Sequence, residues 1–242
     1  MSVGTVLSLK NVSKSYGALK VTDDIDFILN NGETLGILGP NGAGKTTLFN
    51  LISGDVRADN GSIFYLGEDI TSVSPQNRCR QGIGRTYQIP HPFSGMTVFE
   101  NLLVGATYGG NMSEDEADPI CIDVLRKTGL IKKANLLSGS LTLLDRKRLE
   151  LARALATQPK VLLLDEIAGG LTEHEANELV DLIGDIKAEG VSMIWIEHVV
   201  HALLSVADRL LVINFGSKLA DGNPDKVMND PEVKRVYMGI EV

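Results

Sequence analysis

Residues 39–47 read GPNGAGKTT, a match to the pattern G-x-x-x-x-G-K-[ST]. The stretch follows the apolar run ETLGILG and opens KTTLFNLISG, whose apolar spacing and closing Gly54 predict a helix. Strand, glycine loop and helix in that order make an anion cradle. The glycines let the backbone curl until its N–H groups face inward, and the positive end of the helix adds to the field. On this reading Gly39, Pro40, Asn41, Gly42, Ala43 and Gly44 surround a triphosphate, with Thr47 following on the helix. Lys45 neutralises its β- and γ-phosphates, and Thr46 offers a hydroxyl to Mg²⁺. A glycine-rich turn that merely joins strand to helix is the alternative, but it has no need of Lys-Thr in this register.

VLLLDE, residues 161–166, supplies a second half. Four apolar residues put a carboxylate at the C-terminal edge of a buried strand, where doubly wound folds bind ligand. Asp165 is placed to hold Mg²⁺ and Glu166 to polarise a water attacking the γ-phosphorus. Alone, an acidic pair after a strand is usually a solvated strand end; its weight comes from the cradle.

Strands and helices must position these groups. Residues 6–10 and 25–29 are predicted strands with a glycine turn between them, and GSIFYLGEDI is strand-like. KVLLLDE, VSMIWIEH and RLLVINFG are further strands, and 173–189 and HALLSVA are helices. Another helix closes the chain near 231–239. Alternation of this kind predicts a largely parallel sheet covered on both faces. Residues 95–140 read as mainly helical around a polar loop at YGGNMSEDEADP, with helical spacing at Asp123–Leu130 and Arg146–Ala156. A helical lobe at about 90–158 therefore interrupts the α/β pattern.

The chain has 242 residues, 43% of them hydrophobic, enough for one large domain. A formal net charge of −8 disfavours a general nucleic-acid surface, and no nucleic acid is expected as a partner. Cys79 and Cys121 fit no metal spacing and read as reduced thiols. No secretory signal is evident, and no apolar run reaches the roughly 18 residues that cross a bilayer.

With these motifs in place, the chain resembles the nucleotide-binding subunit of an ATP-binding cassette (ABC) transporter over nearly its whole length. The resemblance implies one cassette domain over residues 1–242. Its fold is an α/β P-loop NTPase with a mixed or parallel core, an N-terminal antiparallel β subdomain and the helical lobe inserted. It implies ATP and Mg²⁺, and roles for further residues. Tyr16 in SKSYGALK stacks on adenine, and Gln88 in GIGRTYQ contacts Mg²⁺ and senses the attacking water. AGGLT at 168–172 is the loop that crosses to a partner subunit, and His198 in MIWIEHVV contacts the γ-phosphate. Residues 82–106 and the ending VKRVYMGIEV are similar to the branched-chain amino-acid importer branch. Expected partners are a second ABC ATPase, identical or not, two transmembrane permease subunits and, indirectly, a solute-binding protein. The expected place is the cytoplasmic side of the cell membrane, bound peripherally.

The chain departs from the family in two places. Its signature LSGGQ has a serine eleven residues before the arginine of ARAL, here Arg153, so the matching residue is Thr142. Leu143 and Leu144 then replace both glycines and Asp145 the glutamine; the nearby LSGS at 137–140 is a decoy. Thr142-x-x-Asp145 is also a capping pattern, so the threonine could simply cap its own helix. Ile167 stands where the family usually has proline, which predicts a slightly different loop after Glu166. Two other functions compete. A non-transport ABC ATPase usually shows tandem cassettes or a long coiled-coil insertion, which this chain lacks. A regulatory cassette without hydrolysis is favoured by LTLLD and opposed by Glu166 and His198. A P-loop GTPase is disfavoured because no N-K-x-D motif is present.

Overall fold

The computed structural model describes residues 4–238. Strands β1 (Thr5–Tyr16) and β2 (Leu19–Asn30) form a long antiparallel hairpin. Strand β3 (Thr34–Leu38) runs into the glycine loop, and helix α1 (Lys45–Ser53) leaves it. Strands β4 (Asn60–Tyr65) and β5 (Glu68–Asp69) follow, then α2 (Pro75–Gln81) and β6 (Ile83–Arg85). The helical lobe contains α3 (Val98–Val104), α4 (Glu114–Lys127) and α5 (Leu143–Ala156). The chain returns through β7 (Val161–Asp165), α6 (Glu173–Ala188), β8 (Ser192–Ile196) and α7 (Val200–Val206). It finishes with β9 (Arg209–Asn214), β10 (Ser217–Gly222), α8 (Pro224–Asn229) and α9 (Pro231–Val233).

Two sheets result. One is antiparallel, in the order β2-β1-β4-β5; the other runs β10-β9-β3-β8-β7-β6, parallel except for β10. The α/β class, the parallel core and the antiparallel N-terminal sheet are as the sequence implied. In β7 the side chains alternate between two cores: Leu163 packs with Ile37, Phe49 and Ile194, whereas Leu162 and Leu164 pack with Trp195, Ile183 and Leu203. Both faces are covered, so the strand reads as an unbroken apolar run. The lobe has its own core, in which Val98 and Leu102 meet Leu125, Leu149 and Ala152.

Several local expectations are corrected. The polar loop expected at residues 108–119 is helical from Glu114, because Ser113 and Glu116 form a capping box. Helical spacing continued to Leu130, but α4 ends at Lys127, and Gly129 at φ +72 turns the chain. Helix α5 starts at Leu143, three residues before the expected Arg146, because Thr142 caps it. GSIFYLGEDI is two strands, β4 and β5, broken by Leu66 and Gly67 at positive φ. Helix α9 has three residues and passes into a wider turn at Lys234–Met238. The expected end at 239 and the final GIEV lie outside the described residues.

Two backbone bonds join the glycine loop to the N-terminal hairpin. The Gly216 N–H donates to the Ala43 carbonyl at 3.0 Å, and the Asp23 N–H to the Gly216 carbonyl at 2.8 Å. Gly44, at φ +102, sits against the Val21 carbonyl so closely that a Cβ there would overlap it. Among the described residues no helix is long and apolar enough to cross a membrane.

Candidate active site

The glycine loop hangs between β3 and α1. Gly44 caps α1 in a left-handed conformation, a shape that costs an L side chain dearly. A cavity of about 190 Å³ opens there, lined by residues 41–47, Val21 and Glu166. Lys45 is 6% exposed, and its Nζ donates to the carbonyls of Gly39 at 2.7 Å and Pro40 at 3.0 Å. Burial pushes its pKa down, against the pull of Glu166 and Asp165. Among the described residues no carboxylate lies within ion-pair distance of Lys45. A buried ammonium with only neutral partners suits a polyphosphate, which returns the lost solvation as charge.

Asp165 ends β7 and is 4% exposed. Burial pushes its carboxyl above the usual range; Arg85 pulls it down and Glu166 raises it further. Arg85 Nη2 lies 3.2 Å from Asp165 Oδ2, while Nη1 reaches Asn50 Oδ1 at 2.7 Å and Asp55 Oδ2 at 3.0 Å. Glu166 takes φ +46, in the left-handed region. Its Oε1 is 2.8 Å from His198 Nε2, and its Oε2 accepts from the Gln88 amide. Gln88, Glu166 and His198, far apart in sequence, therefore meet on one carboxylate. Gln88 was expected on Mg²⁺; here its amide is on Glu166. The hydroxyl of Thr46 and the carboxylate of Asp165 are hard oxygen donors of the kind Mg²⁺ takes, which fits that ion.

Other expected residues stand apart. Tyr16 is half-exposed at the end of β1, with Lys14 Nζ 5.6 Å from its ring centre, and does not line the phosphate cavity. Thr142 caps α5: its Oγ1 accepts from the Asp145 N–H at 3.3 Å and bonds Asp145 Oδ2 at 2.9 Å. Asp145 also pairs with Lys133. Ser138 is fully buried, donating to the Phe93 carbonyl at 2.8 Å and accepting from Asn101 Nδ2 at 3.2 Å. Leu143 leans toward Gly170, where a cavity of about 410 Å³ opens between Gln88, Lys147 and Gly169. Ile167 is 2% exposed and joins the core cluster of Leu179 and Ile183, so it anchors the loop after Glu166.

Sequence reasoning missed Arg85, Lys147 and Glu197. Each is a charged residue beside an apolar segment: Arg85 in GIGRTYQ, Glu197 in MIWIEHVV and Lys147 in the helical stretch Arg146–Ala156. Nothing in their spacing distinguishes them from a solvated strand end or helix face.

Comparison with known proteins agrees with this geometry. The family model for ABC transporters matches residues 22–169, and that for branched-chain amino acid ATP-binding cassette transporters matches residues 217–242. The chain is 35% identical to the lipopolysaccharide export system ATP-binding protein LptB of Haemophilus influenzae, over 97% of this chain and 98% of that one. It is 33% identical, with the same coverage, to the high-affinity branched-chain amino acid transport ATP-binding protein LivG of Escherichia coli. Among solved structures, it matches the ADP conformation of MJ1267, an ATP-binding cassette of an ABC transporter. The TM-score is 0.89 at 32% identity, over 98% of this chain and 99% of that one. A nucleotide-free ATP-binding cassette from an ABC transporter matches with a TM-score of 0.88 at 31% identity, over 98% of this chain and 100% of that one. The chain belongs to the ABC transporter ATP-binding family. It is an ATP-binding ATPase of a transporter, with its likeness divided between a branched-chain amino acid transport protein and a lipopolysaccharide export protein.

Proposed function

We propose that this chain is the ATP-hydrolysing subunit that energises an importer of branched-chain or related hydrophobic amino acids. The C-terminal match at residues 217–242 carries the choice of solute class. Convergence of Gln88 and His198 on Glu166 supports hydrolysis over a silent regulatory role. In this reading residues 39–47 and Lys45 hold the triphosphate, Tyr16 supports the base, and Glu166 draws the proton from an attacking water. Thr46 and Asp165, with Gln88 nearby, would hold Mg²⁺, which neutralises charge on the phosphate oxygens when bound. The whole chain acts as one cassette and pairs with a second ATPase. It sits on two permease subunits at the inner face of the membrane and is fed by a solute-binding protein. The LptB likeness favours a second reading, lipopolysaccharide export. ATPase of the assembled transporter in proteoliposomes separates them. Leucine-loaded binding protein should raise turnover several-fold and lipopolysaccharide should not; the reverse result removes the import reading.

The register of the signature also has a test. Thr142 is taken to face the partner's γ-phosphate, with Ser138 structural. Thr142→Ala should slow ATPase of the assembled complex roughly tenfold, the effect of one lost charge-assisted hydrogen bond. Ser138→Ala removes one bond each from the Phe93 carbonyl, which still accepts from the Met96 N–H at 2.9 Å, and the Asn101 amide, which still donates to the Thr97 carbonyl at 2.8 Å. It should cost about 0.5–1.5 kcal/mol in stability while turnover at low temperature stays near normal. Melting curves and ATPase rates decide. Slowed turnover in the Ser138 variant with a normal one in the Thr142 variant reverses the alignment.

A further inference from the structure

Two buried charges near Glu166 have no part in the mechanism above. Lys147, in the second turn of α5, is 3% exposed; Glu197, just past β8, is 1% exposed. Among the described residues neither makes an ion pair; both are spent on backbone. Lys147 Nζ donates to the carbonyls of Gln88 at 2.9 Å and Glu166 at 3.3 Å. Glu197 Oε2 accepts from the Ala168 N–H at 3.1 Å, and its Oε1 from the His198 N–H at 3.0 Å. The Glu166 N–H itself donates to the Ile196 carbonyl at 2.9 Å.

Residues 166–168 are thus pinned at three points, two of them by full charges. The same two charges hold the peptides that carry Gln88 and His198. A non-glycine residue at φ +46 persists only where its surroundings over-determine it. Burying a charge is costly unless strong bonds compensate, and bonds from a charged group are shorter and stronger than neutral ones. A solvated strand end has no such requirement.

We infer that Lys147 and Glu197 are positioning residues: together they fix the Glu166 backbone and align the peptides of Gln88 and His198 around its carboxylate. This rests on Glu166 being the hydrolytic carboxylate proposed above. Lys147 belongs to the helical lobe and its acceptors to the core. A tilt of α5 against the sheet is therefore felt directly at the Glu166 peptide.

The test uses the full chain assembled with its transporter partners. Glu197→Gln puts an amide N–H against a backbone N–H, and Lys147→Met removes the donor while keeping the bulk. Each should lower kcat at least about tenfold, because misplacing a reacting group by an ångström can cost 10²-fold. MgATP affinity should change less than about twofold, since the glycine loop is untouched. Lys147→Arg keeps a donor and should recover much of the rate. A variant whose kcat stays within twofold, or whose affinity falls in step with kcat, overturns the inference. Where a variant does not fold, hydrogen exchange on the native chain decides. The Ala168 and His198 amides should exchange at least about tenfold slower than open loop, and free exchange at both sinks the idea. Glu166→Gln, run alongside, separates the two levels. If it keeps normal turnover, the assignment of Glu166 has failed; if it stops turnover while Glu197→Gln and Lys147→Met do not, only the brace has failed.

Discussion

Glu166→Gln should bind ATP at least as well as the native chain and lose turnover by about 10²- to 10⁴-fold, the range a positioned general base contributes. Glutamine has the same Cβ and nearly the same shape, so the strain at φ +46 is unchanged. Its amide can still meet His198 or Gln88, but not as an acceptor on both sides. Removing one negative charge beside the phosphate cavity also relieves repulsion with a triphosphate. The measurements are ATP affinity by titration and single-turnover hydrolysis in the assembled transporter. A rate within tenfold of normal means that another group activates the water.

Lys45→Ala should weaken MgATP binding by about 2–4 kcal/mol, on the order of 30- to 1,000-fold in Kd. The lysine is a buried cation resting on two loop carbonyls, so a phosphate replaces weak neutral partners with strong charged ones. The sign for stability is opposite. Burial lowers the folded-state pKa of this lysine, so the folded chain disfavours its charged form. The penalty is present wherever the lysine is charged and is lost as pH rises through the lowered pKa. At neutral pH the nucleotide-free variant should melt no lower than the native chain. Unchanged affinity in isothermal titration, or affinity lost only together with the fold, overturns the assignment of Lys45.

Much of this is legible in the sequence, for identifiable reasons. The loop at 39–47 announces itself because Gly-Lys-Thr must stand between a strand and a helix. VLLLD reads as a buried strand because both faces of the sheet are covered. Strand β6 was missed because Ile83–Arg85 is too short to show alternation. Helix α2 was missed because Pro75–Gln81 buries little besides Arg78, so it has no apolar stripe. Helix α4 hid its first turn in Glu-Asp-Glu, residues that read as loop but suit the positive end of a helix. The meeting of Gln88, Glu166 and His198 was implied only by family likeness, because three parallel strands and their loops bring them together. Arg85, Lys147 and Glu197 were invisible for a further reason: their partners are buried carboxylates and backbone atoms, which no spacing rule encodes.

The turn at Gly216 touches both the phosphate loop and the hairpin that ends in Tyr16, and Gly44 lies flush against Val21 on that hairpin. These pieces make a fixed gauge. With Tyr16 as the base platform proposed above, the gap from base to phosphates is set before a nucleotide arrives. Everything up to the β-phosphate is measured on one jaw, which meets a spent diphosphate and a fresh triphosphate alike except where Lys45 reaches the γ-phosphate. The jaw alone is then a poor judge of fuel against exhaust. On the proposed roles, that judgement falls chiefly to Gln88, Glu166 and His198, whose side chains meet at the far end of the gauge.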